Sequence, residues 1–202
     1  MKPVGSLGPR VLTGRFVALE PVTEKHREGL RVAAEDAAIF NYMPLSASGE
    51  RFGPWWDDLN RDIAKGARMV FAVRRLADDT IAGSTSYGNI TPDQARVEIG
   101  WTWYARAAQA TAINPEAKWL LFTNAFERAG YHRVELKTDS KNARSRAAIL
   151  KLGAKEEGTL RGHMWMPAGY WRDTVYYSVL ADEWPGVKAR LETRLAGFQQ
   201  RS

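Results

Sequence analysis

The strand-like window Arg96-Val-Glu-Ile-Gly-Trp-Thr-Trp-Tyr104 and the helix start Asn114-Pro115-Glu116 constrain this chain more than any other segment. Side chains alternate along a strand, which predicts Val97, Ile99, Trp101 and Trp103 on one face and Glu98, Gly100 and Thr102 on the other. A carboxylate opposite an apolar stripe is costly to bury unless paired or solvated, so Glu98 is expected to point into a wet cleft. A half-buried antiparallel strand with one solvated face gives the same pattern. Downstream, Asn114 reads as a cap, Pro115 as a first-turn proline and Glu116 as an acid at the positive helix end. The connection Tyr104–Ile113 thus feeds a helix N-terminus, where unpaired amides form an anion site. Small side chains at Ala110, Thr111 and Ala112 would let a ligand approach the backbone. An ordinary β–α connection remains the alternative, because the segment has no glycine. Neither a P-loop nor a Gly-x-Gly-x-x-Gly motif is present.

The remaining periodicity predicts a strand at Arg15–Leu19, a helix from Thr23 to about Ala38, and a second helix from Pro54 to Gly66. Strands follow at Met69–Arg74, Ile81–Asn89 and Ala95–Tyr104. After the Asn114 helix, stopped at Gly130, come a strand at His132–Thr138 and a helix at Asn142–Leu152. Strands at Ala154–Leu160 and Thr174–Leu180 precede a last helix near Pro185–Leu195. This order predicts an α+β (mixed α/β) fold with helices on both faces of a mixed sheet. With 202 residues, a single domain of 1–202 is expected, with a core of about 15–180 and a C-terminal helix of about 185–196.

Composition narrows the chemistry. No cysteine is present and only His26, His132 and His163 offer imidazoles, so thiolate chemistry is excluded and no metal is expected. No apolar run approaches a membrane span and the first residues lack a signal-peptide core, so a cytoplasmic protein is expected. Chemistry must therefore run on carboxylates, hydroxyls, backbone amides or a borrowed cofactor. The net charge of +6 leaves a nucleic-acid-binding module as a rival reading, although no recognition motif supports it.

The windows Glu98-Ile-Gly-Trp101, Gln109-Ala-Thr-Ala-Ile-Asn114, Asn142-Ala-Arg-Ser145 and Leu152-Gly-Ala-Lys-Glu-Glu-Gly158 resemble those of GNAT N-acetyltransferases, the RimJ/RimL-like branch in particular. The likeness runs from about Arg15 to Leu180. It implies the GNAT (acyl-CoA N-acyltransferase) fold, a central twisted mixed sheet flanked by helices. It also implies direct transfer from acetyl-CoA, as co-substrate, to a primary amine of a protein N-terminus or small molecule. The reaction would run in a V-shaped opening between Arg96–Tyr104 and His132–Thr138. The family's pyrophosphate loop, Gln/Arg-x-x-Gly-x-Gly/Ala, is matched at Gln109, but Ala112 replaces the usual glycine and Asn114 the last position. That departure admits a second reading, a catalytically weak acyl-CoA-binding sensor.

The resemblance assigns acetyl-CoA to Trp103, Tyr104, Gln109, Ala110, Thr111, Ala112, Ile113, Asn114, Asn142 and Ser145. Glu98 is the expected base, acting through water, with a structural carboxylate as the alternative. Ser145 would stabilise the thiolate or start its helix, and Tyr176 is a further acid candidate. Tyr42, Trp103 and Trp165 are expected to contact the acceptor, with Tyr170 and Trp171 in the same loop. Residues 131–161 hold eight Lys/Arg against four Asp/Glu, and Lys141, Arg144, Arg146, Lys151 and Lys118 are candidates for the cofactor phosphates. The last helix would dock on the domain or join a homodimer.

Overall fold

The computed structural model describes residues 3–199, without the side chain of residue 199. Residues 1–2 and 200–202 of the expected 1–202 span lie outside the described residues. Eight strands form one sheet: β1 (Leu12–Thr13), β2 (Val17–Pro21), β3 (Arg68–Arg75), β4 (Ile81–Thr91), β5 (Arg96–Tyr104), β6 (Arg133–Asp139), β7 (Lys155–Met166) and β8 (Tyr170–Leu180). Their order is β1-β2-β3-β4-β5-β6-β8-β7. Every neighbouring pair is antiparallel except β5 and β6, which run parallel. A parallel pair needs a crossover, supplied by α3 (Ile113–Thr123) with its extension through Arg128.

Helices cover both faces, as the alternation of strands and helices predicts. On one face α1 (Arg27–Ala33) and α2 (Phe52–Ala64) bury Leu30, Phe52, Trp55, Trp56 and Leu59 against Val70, Ala72 and Trp103. On the other, α3, α4 (Ala143–Leu152) and α5 (Trp184–Gln199) cover Val97, Ile99, Val134, Leu136, Val175 and Tyr177. α5 runs back along α3: Trp184 lies 5.6 Å from both Phe122 and Phe126, and Trp119 donates to Glu192. No helix among the described residues is long and apolar enough to cross a membrane.

Local chemistry explains where the elements depart from the expected ones. The first helix stops at Ala33 because Asp36 accepts from the Ala38 amide and caps a separate 3-10 turn, Ala37–Phe40. Trp165, Tyr170 and Trp171 lie in strands, not in a loop, because β7 and β8 extend to a turn at Gly169 (φ +81°). Asn114 does not cap α3, which begins one residue earlier with Ala112 at the cap position. Asn142 caps α4 as expected, its side chain accepting from the Ser145 amide at 3.0 Å.

Glu116 does more than complement the helix dipole. Its carboxylate is 2% exposed and accepts from the amides of Arg15, Phe16 and Val17 at 2.8, 2.6 and 2.8 Å. One side chain on the crossover helix therefore fixes the entry into β2. Gly14 gives the carboxylate room, since a Cβ there would sit 2.4 Å from its carbon. Glu116→Ala strands three buried donors and is expected to cost about 3 kcal/mol in urea unfolding. Glu116→Gln, which keeps one acceptor oxygen, should cost less.

Candidate active site

Ladder pairing between β5 and β6 covers only Arg96↔Arg133, Val97↔Val134 and Glu98↔Glu135, although both strands continue. Beyond Glu98 the strands part. On the other side of β5, Ser84 pairs with Trp103 but Ser86 with Gly100, so two residues, Trp101 and Thr102, oppose Thr85. Trp101 has φ +50°, and this bulge resets the alternation. The expected four-residue apolar stripe is therefore broken. Val97 and Ile99 face α3, but Trp101 moves to the Glu98 face, where its ring covers Gly88; a Cβ on Gly88 would lie 2.3 Å from that ring. Thr102 turns towards α3, where its hydroxyl meets Lys118.

Glu98 does not stand in a wet cleft. It is 2% exposed, and its Oε2 accepts from Asn89 Nδ2 at 2.6 Å and pairs with Lys137 Nζ at 2.9 Å. Oε1 has no hydrogen bond among the described residues and lies over Gly100, where a Cβ would come within 2.7 Å. Lys137 Nζ also sits 5.8 Å from the ring centres of both Trp101 and Tyr176. The guanidinium of Arg68, paired with Asp62 at 2.7 Å, lies 5.1 Å from the Trp101 ring.

The amides of Ala110, Thr111, Ala112 and Asn114 take no hydrogen-bond partner among the described residues. Ala110 is left-handed (φ +61°) and exposed. The Thr111 hydroxyl donates to Ala108 O and accepts from the Ile113 amide, closing the turn from within. The Gln109 side chain is used internally: Nε2 donates to Tyr104 O at 2.9 Å, and Oε1 accepts from Arg144 at 2.5 Å. Ile113 and Tyr104 are buried, and burial raises the pKa of the Tyr104 hydroxyl, which has no partner among the described residues. Ser145 sits in the first turn of α4, its hydroxyl unbonded among the described residues.

The candidate phosphate cations divide. Arg144 holds the loop through Gln109, whereas Arg146 is engaged by Tyr177 and Glu156. Lys141 lies 3.9 Å from the centre of the Tyr170 ring, and Lys151 is exposed. Lys118 is 4% exposed and points into the sheet, donating to Thr102 at 2.7 Å and Thr85 at 3.3 Å, so it cannot reach a phosphate outside.

On the acceptor side, Trp103 is 3% exposed between Phe40 and Trp55, with ring centres at 5.3 and 5.8 Å, and is core instead of pocket wall. Trp101 is only half-buried. It borders a cavity of about 10 Å³, room for one water, together with Leu45, Arg68 and Ser86, whose buried hydroxyl has no partner among the described residues. Trp165 pairs with Trp171 across the β7–β8 hairpin, and both alternate with Arg172, so they present to the face opposite Glu98. Tyr42 is exposed on the α1–α2 connection. Sequence reasoning missed Arg68, Lys137, Asp139 and Arg172. Strand alternation alone places Lys137 and Asp139 on the Glu98 face, given the parallel register.

The crossover and the parting parallel strands are those of the GNAT fold. Residues 17–155 match the acetyltransferase (GNAT) domain family, and the chain belongs to it. A GCN5-related N-acetyltransferase from Brucella melitensis superposes with a TM-score of 0.90 at 29% identity, covering 96% of this chain and 89% of that one. The RimJ structure from Mycobacterium smegmatis, in complex with CoA-disulfide, shares the fold (TM-score 0.74, 23% identity, 96% and 93% covered). "Putative ribosomal N-acetyltransferase YdaF" of Bacillus subtilis (strain 168) is 34% identical over 113 residues, 56% of this chain and 61% of that protein. The matched segment thus spans less than two thirds of the curated relative.

Lys118 makes stability depend on pH. Burial without a carboxylate partner pushes its ammonium from 10.5 down to about 7. Between those values the unfolded chain holds a proton that the folded chain releases, so the stability contribution rises with pH and is lowest below about 7. Lys118→Met is expected to stabilise the fold by a few kcal/mol (roughly 3) near neutral pH and below. That gain should shrink as pH approaches about 10, read by urea unfolding across the range.

Proposed function

We propose that this chain is an acetyl-CoA-dependent N-acetyltransferase acting on a primary amine of a protein N-terminus or a small molecule. The observation that carries this reading is one juxtaposition. The amides of Ala110, Thr111, Ala112 and Asn114 lie open where β5 leads into α3, and Glu98 lies where β5 leaves β6. Acetyl-CoA fits such a site, because four amides at a helix N-terminus suit a pyrophosphate and the side chains at Ala110 and Ala112 are small. When bound it supplies an acetyl group activated as a thioester.

The chain's own groups divide the remaining work. Gln109 pins the loop to Tyr104 O and to Arg144, which fixes the backbone that carries these amides. Asn142 caps α4 and sets the position of Ser145, whose hydroxyl is available to a leaving thiolate. Glu98 accepts the proton of the incoming ammonium on Oε1, through water, while Asn89 and Lys137 hold Oε2. Tyr176, beside Lys137, is a second proton donor on that face. The name of the Bacillus relative, "Putative ribosomal N-acetyltransferase", favours a ribosomal acceptor.

Calorimetry with CoA and free-thiol release from acetyl-CoA across an amine panel test the reading. CoA should bind, and thiol release should require an amine. Glu98→Gln should lower kcat by about 10²-fold or more. Ser145→Ala should lower kcat more than CoA affinity. Absence of CoA binding would end the proposal. Tight CoA binding without turnover on any amine would instead define an acyl-CoA sensor.

A further inference from the structure

Arg172 stands apart from every other buried charge. It is 6% exposed and makes no hydrogen bond or ion pair among the described residues, and its buried Nε has no partner. The other buried charged side chains are all engaged: Glu98 by Lys137, Glu116 by three amides, Lys118 by two hydroxyls, Asp139 by Tyr170, Arg68 by Asp62. A guanidinium cannot escape burial by losing its proton, as a lysine can. A fold that keeps one partnerless inside has a place for an anion that arrives from outside.

Register shows where that place is. Pairing of β6 with β8 ends at Asp139↔Thr174, so Arg172 lies two residues beyond the end of the β6 ladder. Alternation puts Arg172, Thr174 and Tyr176 on one face; Tyr176 pairs with Lys137 and Glu135 with Glu98. Arg172 therefore looks onto the same face as Glu98, on the far side of the gap between β5 and β6. Its charge is felt by Asp139, Tyr170, Glu98 and Tyr176, yet none of them bonds to it. Asp139 is occupied by the Tyr170 hydroxyl at 2.5 Å and the Lys141 amide at 2.8 Å, and Glu98 by Asn89 and Lys137.

We propose that Arg172 is the anion-binding element of the acceptor site, so that the preferred acceptor carries a carboxylate in the same molecule as its amine. This rests on the acetyltransferase reading above. Arg172 has no bonded partner among the described residues, so an acceptor that carries a carboxylate supplies one, whereas a polyamine adds only cations. The ammonium meets Glu98 and the carboxylate meets Arg172. Such an acceptor is a free amino acid or a peptide N-terminus with an acidic side chain close behind it.

Two probe pairs separate these sources. Free L-amino acids are compared with their carboxamides, and peptides with Asp or Glu at the second position with their Asn or Gln counterparts. Thiol release from acetyl-CoA should show at least a tenfold higher kcat/KM for the acid of one pair. Arg172→Gln should bring that ratio to about one by raising KM for the acid, and Arg172→Lys should restore part of it. Equal kcat/KM within both pairs overturns the inference and leaves the acetyltransferase reading intact. An Arg172→Gln protein that melts higher and keeps the ratio also overturns it. If the wild-type chain does not bind CoA, the reading fails separately. The acids then still decide this inference by their thermal shift on the free protein: a rise in Tm absent with the amides supports it, and no rise overturns it.

Discussion

The three residue pairs joining β5 to β6 set most of the geometry. A parallel pair inside an otherwise antiparallel sheet forces the chain through a crossover helix, and α3 must begin where β5 ends. The pairing stops after Glu135, so the strands part at the same end. Helix terminus and gap are consequences of a single topological choice. The bulge at Trp101 and Thr102 turns one residue towards the Glu98 face and the next towards α3.

Buried charge is treated differently with distance from that gap. On α3, Glu116 receives three backbone donors and ties the N-terminal strand to the crossover. Two residues on, Lys118 has only hydroxyls, an arrangement that suits an amine able to shed its proton. Beside the gap, Glu98 faces a cation with one oxygen engaged, and Arg172 has no bonded partner among the described residues. Completeness of solvation falls from scaffold to site, as expected if protein contacts serve folding and the missing ones are left to ligands.

Much of the architecture was legible in the sequence. Period-two runs located the sheet, and Asn142, Gly130 and Gly153 marked helix boundaries, because caps and stops are local chemistry. The family motifs pointed to the loop at Gln109 and to Glu98. What could not be read was longer in range. A left-handed tryptophan gives no sequence signal, so the faces of Trp101 and Thr102 were exchanged. Lys118 looks like a surface cation until the sheet closes over it. Trp165 and Trp171 lay in a hairpin that extends past the expected loop, and their facing follows from alternation along strands longer than the pattern suggested. Arg172 was invisible because the absence of a partner is a property of three dimensions.

The alanines of the loop before α3 have a further consequence. Ala110 occupies a left-handed conformation that a glycine would adopt freely, and Ala112 stands where the family's loop has glycine. An alanine samples fewer backbone states than glycine in the unfolded chain and in any loosened loop. The segment accepts a small strain at rest, and under the proposed function it would lose less disorder on binding an anion. Acetyl-CoA bound there as proposed would meet a stiff, preset contour.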